Sequence, residues 1–172
     1  MSDVRPFHRP EYRLMSGIGG VETALRCVTQ ADADILGPAL TSIDPWARLG
    51  LSSELMTGFL AGSNDNLRCF SIWHGGHRAG VAVVRFPWLS GPYLNLLAVL
   101  PGFQQKGIGR AALSWMEAEA RAIGARNCFL CVSAFNLSAR GFYLRNGYSE
   151  AAVLDELIKD GEDEILMRKR LG

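Results

Sequence analysis

An apolar run from Tyr93 to Leu100 stops at Pro101, and six residues later Gly107-Ile108-Gly109-Arg110 opens a helical pattern. Strand, polar glycine-rich turn and helix therefore follow one another directly. A turn of this kind points free backbone N–H groups and the positive end of a helix dipole at one spot, which favours phosphate. The segment constrains both the fold, which needs a buried strand feeding a helix, and the class of ligand.

The rest of the composition narrows the field by exclusion. At 172 residues the chain suits one domain with a full core. Net charge is +1, so no global basic surface is available for nucleic acid or an anionic membrane. No apolar run approaches the ~18 residues of a membrane span. Arg5, Arg9 and Arg13 near the start have no apolar stretch beside them, so no secretory signal is expected. Cys128 and Cys131 carry a C-x-x-C spacing, but in a strand such thiols point to opposite sides, and no second pair accompanies them. Buried reduced thiols in a cytoplasmic protein are the expectation. His8, His74 and His77 do not cluster with cysteine or carboxylate, so no metal is expected, and His74 and His77 are expected in solvent beside a turn.

Residues 1–22, rich in proline, glycine and scattered charge, are expected to form a loosely ordered N-terminal arm; residues 23–172 form a single domain. Thr23–Thr29 alternates as a strand. Asp32 is expected to cap a helix over Ala33–Thr41, and Ser52 to cap a second. Leu67–His74 and Arg78–Phe86, separated by Gly75-Gly76-His77, predict a hairpin. After the glycine turn, Gly109, Leu113, Met116, Ala120 and Ile123 share one helical face, and Arg110, Ser114, Glu117 and Arg121 another, with Gly124 as the stop. Cys128–Ser133 is a further strand. Asn136 or Ser138 caps a short helix through Arg145, and Tyr148–Ile158 with Glu164–Arg168 predicts a last hairpin.

Three phosphate-binding motifs compete for the turn. The P-loop pattern is absent. Gly107-Ile108-Gly109-Arg110-Ala111-Ala112 matches G-x-G-x-x-A formally, but it lies six residues beyond the strand, and Cys128–Ser133 carries no acidic residue to hold a ribose. Gln104-Gln105-Lys106-Gly107-Ile108-Gly109 fits [RQ]-x-x-G-x-[GA]. With Asn136, Ala139, Phe142-Tyr143 and Asn146-Gly147-Tyr148 downstream, the chain resembles the GNAT family of acetyl-CoA-dependent N-acetyltransferases. The resemblance runs from about Thr23 to the end, in element order as well as motif.

It implies an α/β (α+β) acyl-CoA N-acyltransferase fold, with a mixed, mostly antiparallel central sheet flanked by helices. It implies acetyl-CoA as co-substrate. Gln104, Gln105, Lys106, Gly107, Ile108, Gly109 and Arg110 would hold the pyrophosphate, where the glycines allow close backbone approach and the basic side chains add cationic donors. Backbone groups of Leu97, Ala98 and Val99 would pair with the pantetheine arm, on a strand that splays from its neighbour. Asn136 would hold that arm or cap its helix. Tyr143 would contact the cofactor and give a proton to the departing thiolate; otherwise it is a core tyrosine whose hydroxyl finds a carbonyl.

Many relatives carry a carboxylate in the strand before the turn to deprotonate the amine. Here Asn95 or Leu96 stands in that register, and neither is a base. Either the base lies elsewhere or the acceptor has a low pKa: at pH 7 an α-amino group near 8 is free in about one part in ten, a lysine-like amine near 10.4 in about one in a few thousand. Trp46 sits where the family builds its acceptor site, to line it or to anchor the loop, and Asn95 is a second substrate candidate. Seven acidic residues from Glu150 to Glu164 against Lys159 alone suit a cationic amine, or form a solvated hairpin. The reading is transfer of acetyl from acetyl-CoA to a primary amine, on a small molecule or peptide, by direct attack. No nucleic acid or membrane partner is expected, and self-association as a homodimer stays open. The alternative is a non-catalytic acyl-CoA-binding or regulatory domain of the same fold.

Overall fold

The computed structural model describes residues 5–14 and 20–172. In chain order these form β1 (Glu11–Leu14), β2 (Thr23–Cys27), α1 (Gln30–Thr41), α2 (Trp46–Leu49), α3 (Ser53–Ala61), β3 (Leu67–His74), β4 (His77–Trp88), β5 (Gly91–Val99), α4 (Ile108–Ala122), β6 (Asn127–Ser133), α5 (Leu137–Arg145), β7 (Ser149–Lys159) and β8 (Glu162–Arg170). The strands make one sheet in the order β1-β2-β3-β4-β5-β6-β8-β7. Every neighbouring pair is antiparallel except β5 with β6. The mixed, mostly antiparallel sheet flanked by helices is the expected architecture.

The two faces of the sheet bury separate apolar clusters. One packs Leu113, Met116 and Ala120 of α4 against Ile72, Val84, Leu130 and Met167. The other packs Ala33, Leu36 and Leu40 of α1 and Met56 and Leu60 of α3 against Val81, Val83 and Leu96. Each fully buried aliphatic side chain contributes about 1.5–3 kcal/mol, so both layers are needed to hold the sheet.

Local chemistry accounts for most element ends. Gly75 and Gly76 have φ of +59° and +80°, and His74 pairs with His77, so the turn between β3 and β4 is a two-residue hairpin with both central residues left-handed. His77 thus belongs to the strand. Ser52 caps α3 by accepting from the Leu55 N–H, and Asn136 caps α5 by accepting from the Ala139 N–H. At α1 the cap is Thr29, one turn before the expected start: Thr29 and Asp32 form a reciprocal capping box, with Asp32 at the third helical position.

Three further expectations need correction. Part of the N-terminal segment is regular: β1 pairs with β2, and Phe7 is fully buried with its ring 5.3 Å from that of Trp115. Tyr12 and Leu14 alternate inward against Glu11 and Arg13, but four residues between prolines and glycines are too short a period to read. Residues 1–4 and 15–19 of that arm lie outside the described residues. His74 is buried rather than solvated, its Nδ1 2.8 Å from the Thr23 hydroxyl, because it closes a strand pairing with β2. Glu117 is also buried. Lys169 of β8 lies 2.8 Å from both its oxygens, and Arg121 approaches to 3.7 Å, so the predicted polar face of α4 is partly covered by a strand distant in sequence.

Candidate active site in the gap between two parallel strands

The site originates in one irregularity of β5. Leu96 pairs with Val83 and Leu94 with Val84, which leaves Asn95 opposite no residue. Such a bulge reverses the alternation of side chains. Leu94 accordingly enters the cluster under α4, whereas Leu96, two residues on, enters the cluster under α1 and α3. Pairing between β5 and β6 covers only Tyr93 with Phe129 and Leu94 with Leu130. Beyond it the strands part, although β5 runs to Val99 and β6 to Ser133. The Leu100 N–H donates to Ala79 of β4, so by alternation Leu97 and Val99 direct their backbone groups into the gap.

The glycine turn closes one end of that gap. Gln105 has φ of +61° and Gly107 +74°, each following a residue of negative φ, which builds a concavity of N–H groups at the start of α4. Gly107 is the N-cap and has no side-chain hydrogen bond to the helix, so its first amides stay free for a ligand. A Cβ on Gly109 would come within 3.2 Å of the Phe142 ring, so this position lets α4 and α5 approach.

These pieces line a single cleft of about 610 Å³. Leu97, Ala98 and Val99 form its strand wall, Gln104, Gln105, Gly107, Ile108, Gly109 and Arg110 its turn, and Asn136, Ala139, Phe142 and Tyr143 its α5 wall. Trp46 lines the mouth with Ile43, Asp44 and Pro45. Two expected residues stand apart. Lys106 lies with its ammonium 5.4 Å from the centre of the Phe103 ring, and Asn95 occupies the bulge, half-buried; neither lines the cleft. The Gln104 side-chain amide, expected as a donor to phosphate, donates instead to the Val99 carbonyl at 3.0 Å and ties the turn to the strand end. A separate cavity of about 590 Å³ beside Arg126, Arg168 and Arg170 contains none of these residues.

Tyr143 is buried, and its ring packs 5.2 Å from Phe142 and 6.0 Å from Tyr148. No described group hydrogen-bonds its hydroxyl. The sealed, unpartnered side-chain atoms among the described residues are Trp115 Nε1 and Tyr148 OH, so the Tyr143 hydroxyl opens on the cleft. Burial pushes its pKa up and keeps the phenol protonated. It is therefore a protonated hydroxyl with no protein acceptor among the described residues, facing the cleft.

Sequence reasoning missed the strap that fixes the mouth. Arg48 of α2 binds Glu162 through two bonds of 2.8 and 3.2 Å and lies 3.9 Å from the centre of the Phe135 ring, while Lys159 Nζ donates to the Arg48 carbonyl at 2.8 Å. The segment carrying Trp46 is thereby held to the last hairpin, more than a hundred residues away in sequence. The signal was the acidic run itself, in which Glu162 and Glu150 turn out to be paired, Glu150 with Arg140 at 2.6 Å. Among the described residues no three His, Cys, Asp or Glu side chains converge as a metal site. The four cysteines are free, with Cys128 buried under α4 and Cys131 half-buried on the opposite face. No helix of the described residues is long and apolar enough to cross a membrane.

Comparison with known proteins supports the same assignment. The model of the acetyltransferase (GNAT) family matches residues 35–148, from α1 through the end of α5. A protein of Desulfovibrio desulfuricans assigned to the GNAT acetyltransferases superposes with a TM-score of 0.72 at 22% identity, covering 89% of this chain and 100% of that one. An acetyltransferase from Thermus thermophilus gives 0.69 at 22%, covering 86% and 96%. The ribosomal-protein-S18-alanine N-acetyltransferase of Escherichia coli gives 0.65 at 23%, covering 87% and 94%. At these identities the likeness to solved structures speaks for the fold, and the family match for the activity: the chain belongs to the GNAT family and is an acetyl-CoA-dependent N-acetyltransferase.

Proposed function

We propose that the cleft binds acetyl-CoA with its pyrophosphate on residues 104–110 and its pantetheine arm along Leu97–Val99, and that a primary amine attacks the thioester directly. Amine nitrogen bonds to the carbonyl carbon, the C–S bond breaks, and Tyr143 gives its proton to the leaving thiolate. The observation that carries this reading is the Tyr143 hydroxyl, which opens on the cleft without a protein partner. Tyr148, the neighbouring core tyrosine, has its hydroxyl sealed away, whereas that of Tyr143 is reachable from the cleft. The raised phenol pKa suits the role, since the donor stays charged with its proton until a thiolate develops beside it.

Asn136 caps its helix and is placed to take the second role as well. Its carbonyl oxygen caps α5 at 3.1 Å from the Ala139 N–H, and its amide group is left for the cofactor arm. Arg110 lines the cleft where it adds cationic charge toward the pyrophosphate. The mouth built by Trp46 and the strap to the last hairpin form the acceptor side, in keeping with an amine that enters as a cation in the cytoplasm.

The test is free-thiol release from acetyl-CoA with a panel containing an alanyl tetrapeptide, spermidine and free lysine. Wild type should turn over at least one, and Tyr143→Phe should lose about 10²–10³-fold in kcat with an unchanged thermal melt, since the removed hydroxyl bonds nothing in the protein. Thermal stabilisation by CoA with no turnover of any amine would instead favour a non-catalytic binder.

A further inference from the structure

The bulge and the parting strands sort side chains in a way the sequence does not reveal. On β6, Cys128, Leu130 and Val132 point into the cluster under α4. Phe129, Cys131 and Ser133 therefore point to the other face. On β8, Ile165 and Met167 join the α4 cluster, which turns Glu164 to the other face as well. Tyr93, opposite in alternation to Leu94, lies on that face too. Tyr93, Cys131, Ser133 and Glu164 thus gather at the end where β5 and β6 separate. The glycine turn approaches the gap from the α4 side, and the Trp46–Arg48 segment bounds the side where Glu164 lies. Arg48 is bound to Glu162, two residues before Glu164 on the same strand face.

Glu164 is an unusual residue for such a place. It is 3% exposed, and Oε1 accepts the Ser133 hydroxyl at 2.5 Å. It forms no salt bridge among the described residues. Its Oε2 has no donor among the described residues and is not among the sealed atoms, so it keeps a narrow opening, although Glu164 itself is not one of the residues that line the cleft. Its titratable neighbours are Tyr93 from β5 and Cys131 from β6; from β7 the residue opposite is Leu154. A buried carboxylate with no cation beside it lacks a structural explanation of the usual kind.

We propose that Glu164 is the base that takes the proton from the acceptor amine, with Ser133 orienting its carboxylate. This rests on the acetyl-transfer reading above. The acceptor enters as an ammonium and gives one proton to Oε2. The freed nitrogen attacks the thioester carbonyl and the C–S bond breaks. The thiolate takes the Tyr143 proton, the second proton shed by nitrogen passes to solvent, the phenol is restored from solvent, and Glu164 releases its proton to solvent, for a net release of one proton per turnover. Burial raises the Glu164 pKa and Ser133 offsets part of that rise, which makes the carboxylate more basic than an exposed one.

The test is the pH dependence of kcat/KM for the amine, with an alanyl tetrapeptide and with spermidine. Wild type should rise through the Glu164 ionisation and then run level up to the pKa of each amine, because ionised Glu164 and an ammonium together form the reactive state. Glu164→Gln should lose about 10²-fold at pH 7 and instead climb about tenfold per pH unit until the amine is free, with CoA affinity unchanged. Ser133→Ala should move the wild-type acid limb to higher pH, an effect that a merely structural serine would not produce. If Glu164→Gln keeps the wild-type profile, or if the limb vanishes only in Asp44→Asn, the assignment of Glu164 is overturned while acetyl transfer stands. If wild type binds CoA but acetylates neither probe, both fall together.

Discussion

At the scale of single residues, position in the sheet decides which polar groups are reactive and which are structural. Asp32 is structural. Burial alone would raise its carboxyl, but the Thr29 N–H, the Arg78 guanidinium at 2.6 Å and the Thr29 hydroxyl more than offset that, and its pKa falls below 3.8. A depressed carboxylate stabilises the fold above its unfolded pKa and loses that contribution as pH falls through the folded value. Asp32→Asn should therefore cost about 2 kcal/mol at neutral pH, by equilibrium urea unfolding. The difference from wild type should shrink below pH 3.8 as the native carboxyl protonates. Glu164, with the opposite shift and one uncommitted oxygen, belongs to the reactive class. Nothing in the sequence separates these two acids, nor Glu164 from the other carboxylates between 150 and 164. Only the register of β8 against β6 sets Glu164 beside Ser133.

At the scale of elements, the turn between β5 and α4 joins strain to binding. Gly107 sits at φ of +74° at the start of α4, and Gly124 at the same +74° just past its end. A Cβ in this conformation costs about 1–2 kcal/mol at either position. Gly107→Ala should also reduce the thermal stabilisation given by acetyl-CoA, because Gly107 lines the cleft. Gly124→Ala should lower the melting temperature comparably and leave the acetyl-CoA response intact. This turn was legible in the sequence, because its glycines, its spacing from the strand and the helical face after it are local signals. So was α5, through Asn136 and Tyr143. The bulge at Asn95 was not, since it depends on how β5 meets β4, and β1 was hidden by its brevity. The capping box at Thr29 was misread by one turn because Asp32 is a good cap residue that here serves at the third helical position.

At the scale of the whole molecule, the two faces of the sheet divide the work. α4 and α5 bring the glycine turn and Tyr143, the proposed phosphate site and proton donor, from one side. α2, strapped to β8 through Arg48 and Glu162, frames the other, and the parting of β5 from β6 joins the two. The fold class was readable from the order of elements, but this division was not, because it arises from contacts between segments more than a hundred residues apart. In the proposed reading, donor, thioester and acceptor meet in one cleft at one time. It leaves Cys131 outside the reaction: burial raises its thiol pKa, the Tyr93 hydroxyl offsets part of this, and Glu164 opposes ionisation further, so it is not a ready thiolate. Initial rates of thiol release, varied in acetyl-CoA and in the accepted amine, test this most directly. Direct transfer predicts intersecting reciprocal plots and no acetyl group on the protein after incubation with acetyl-CoA alone. Parallel plots, with acetyl recovered on Cys131, would contradict it.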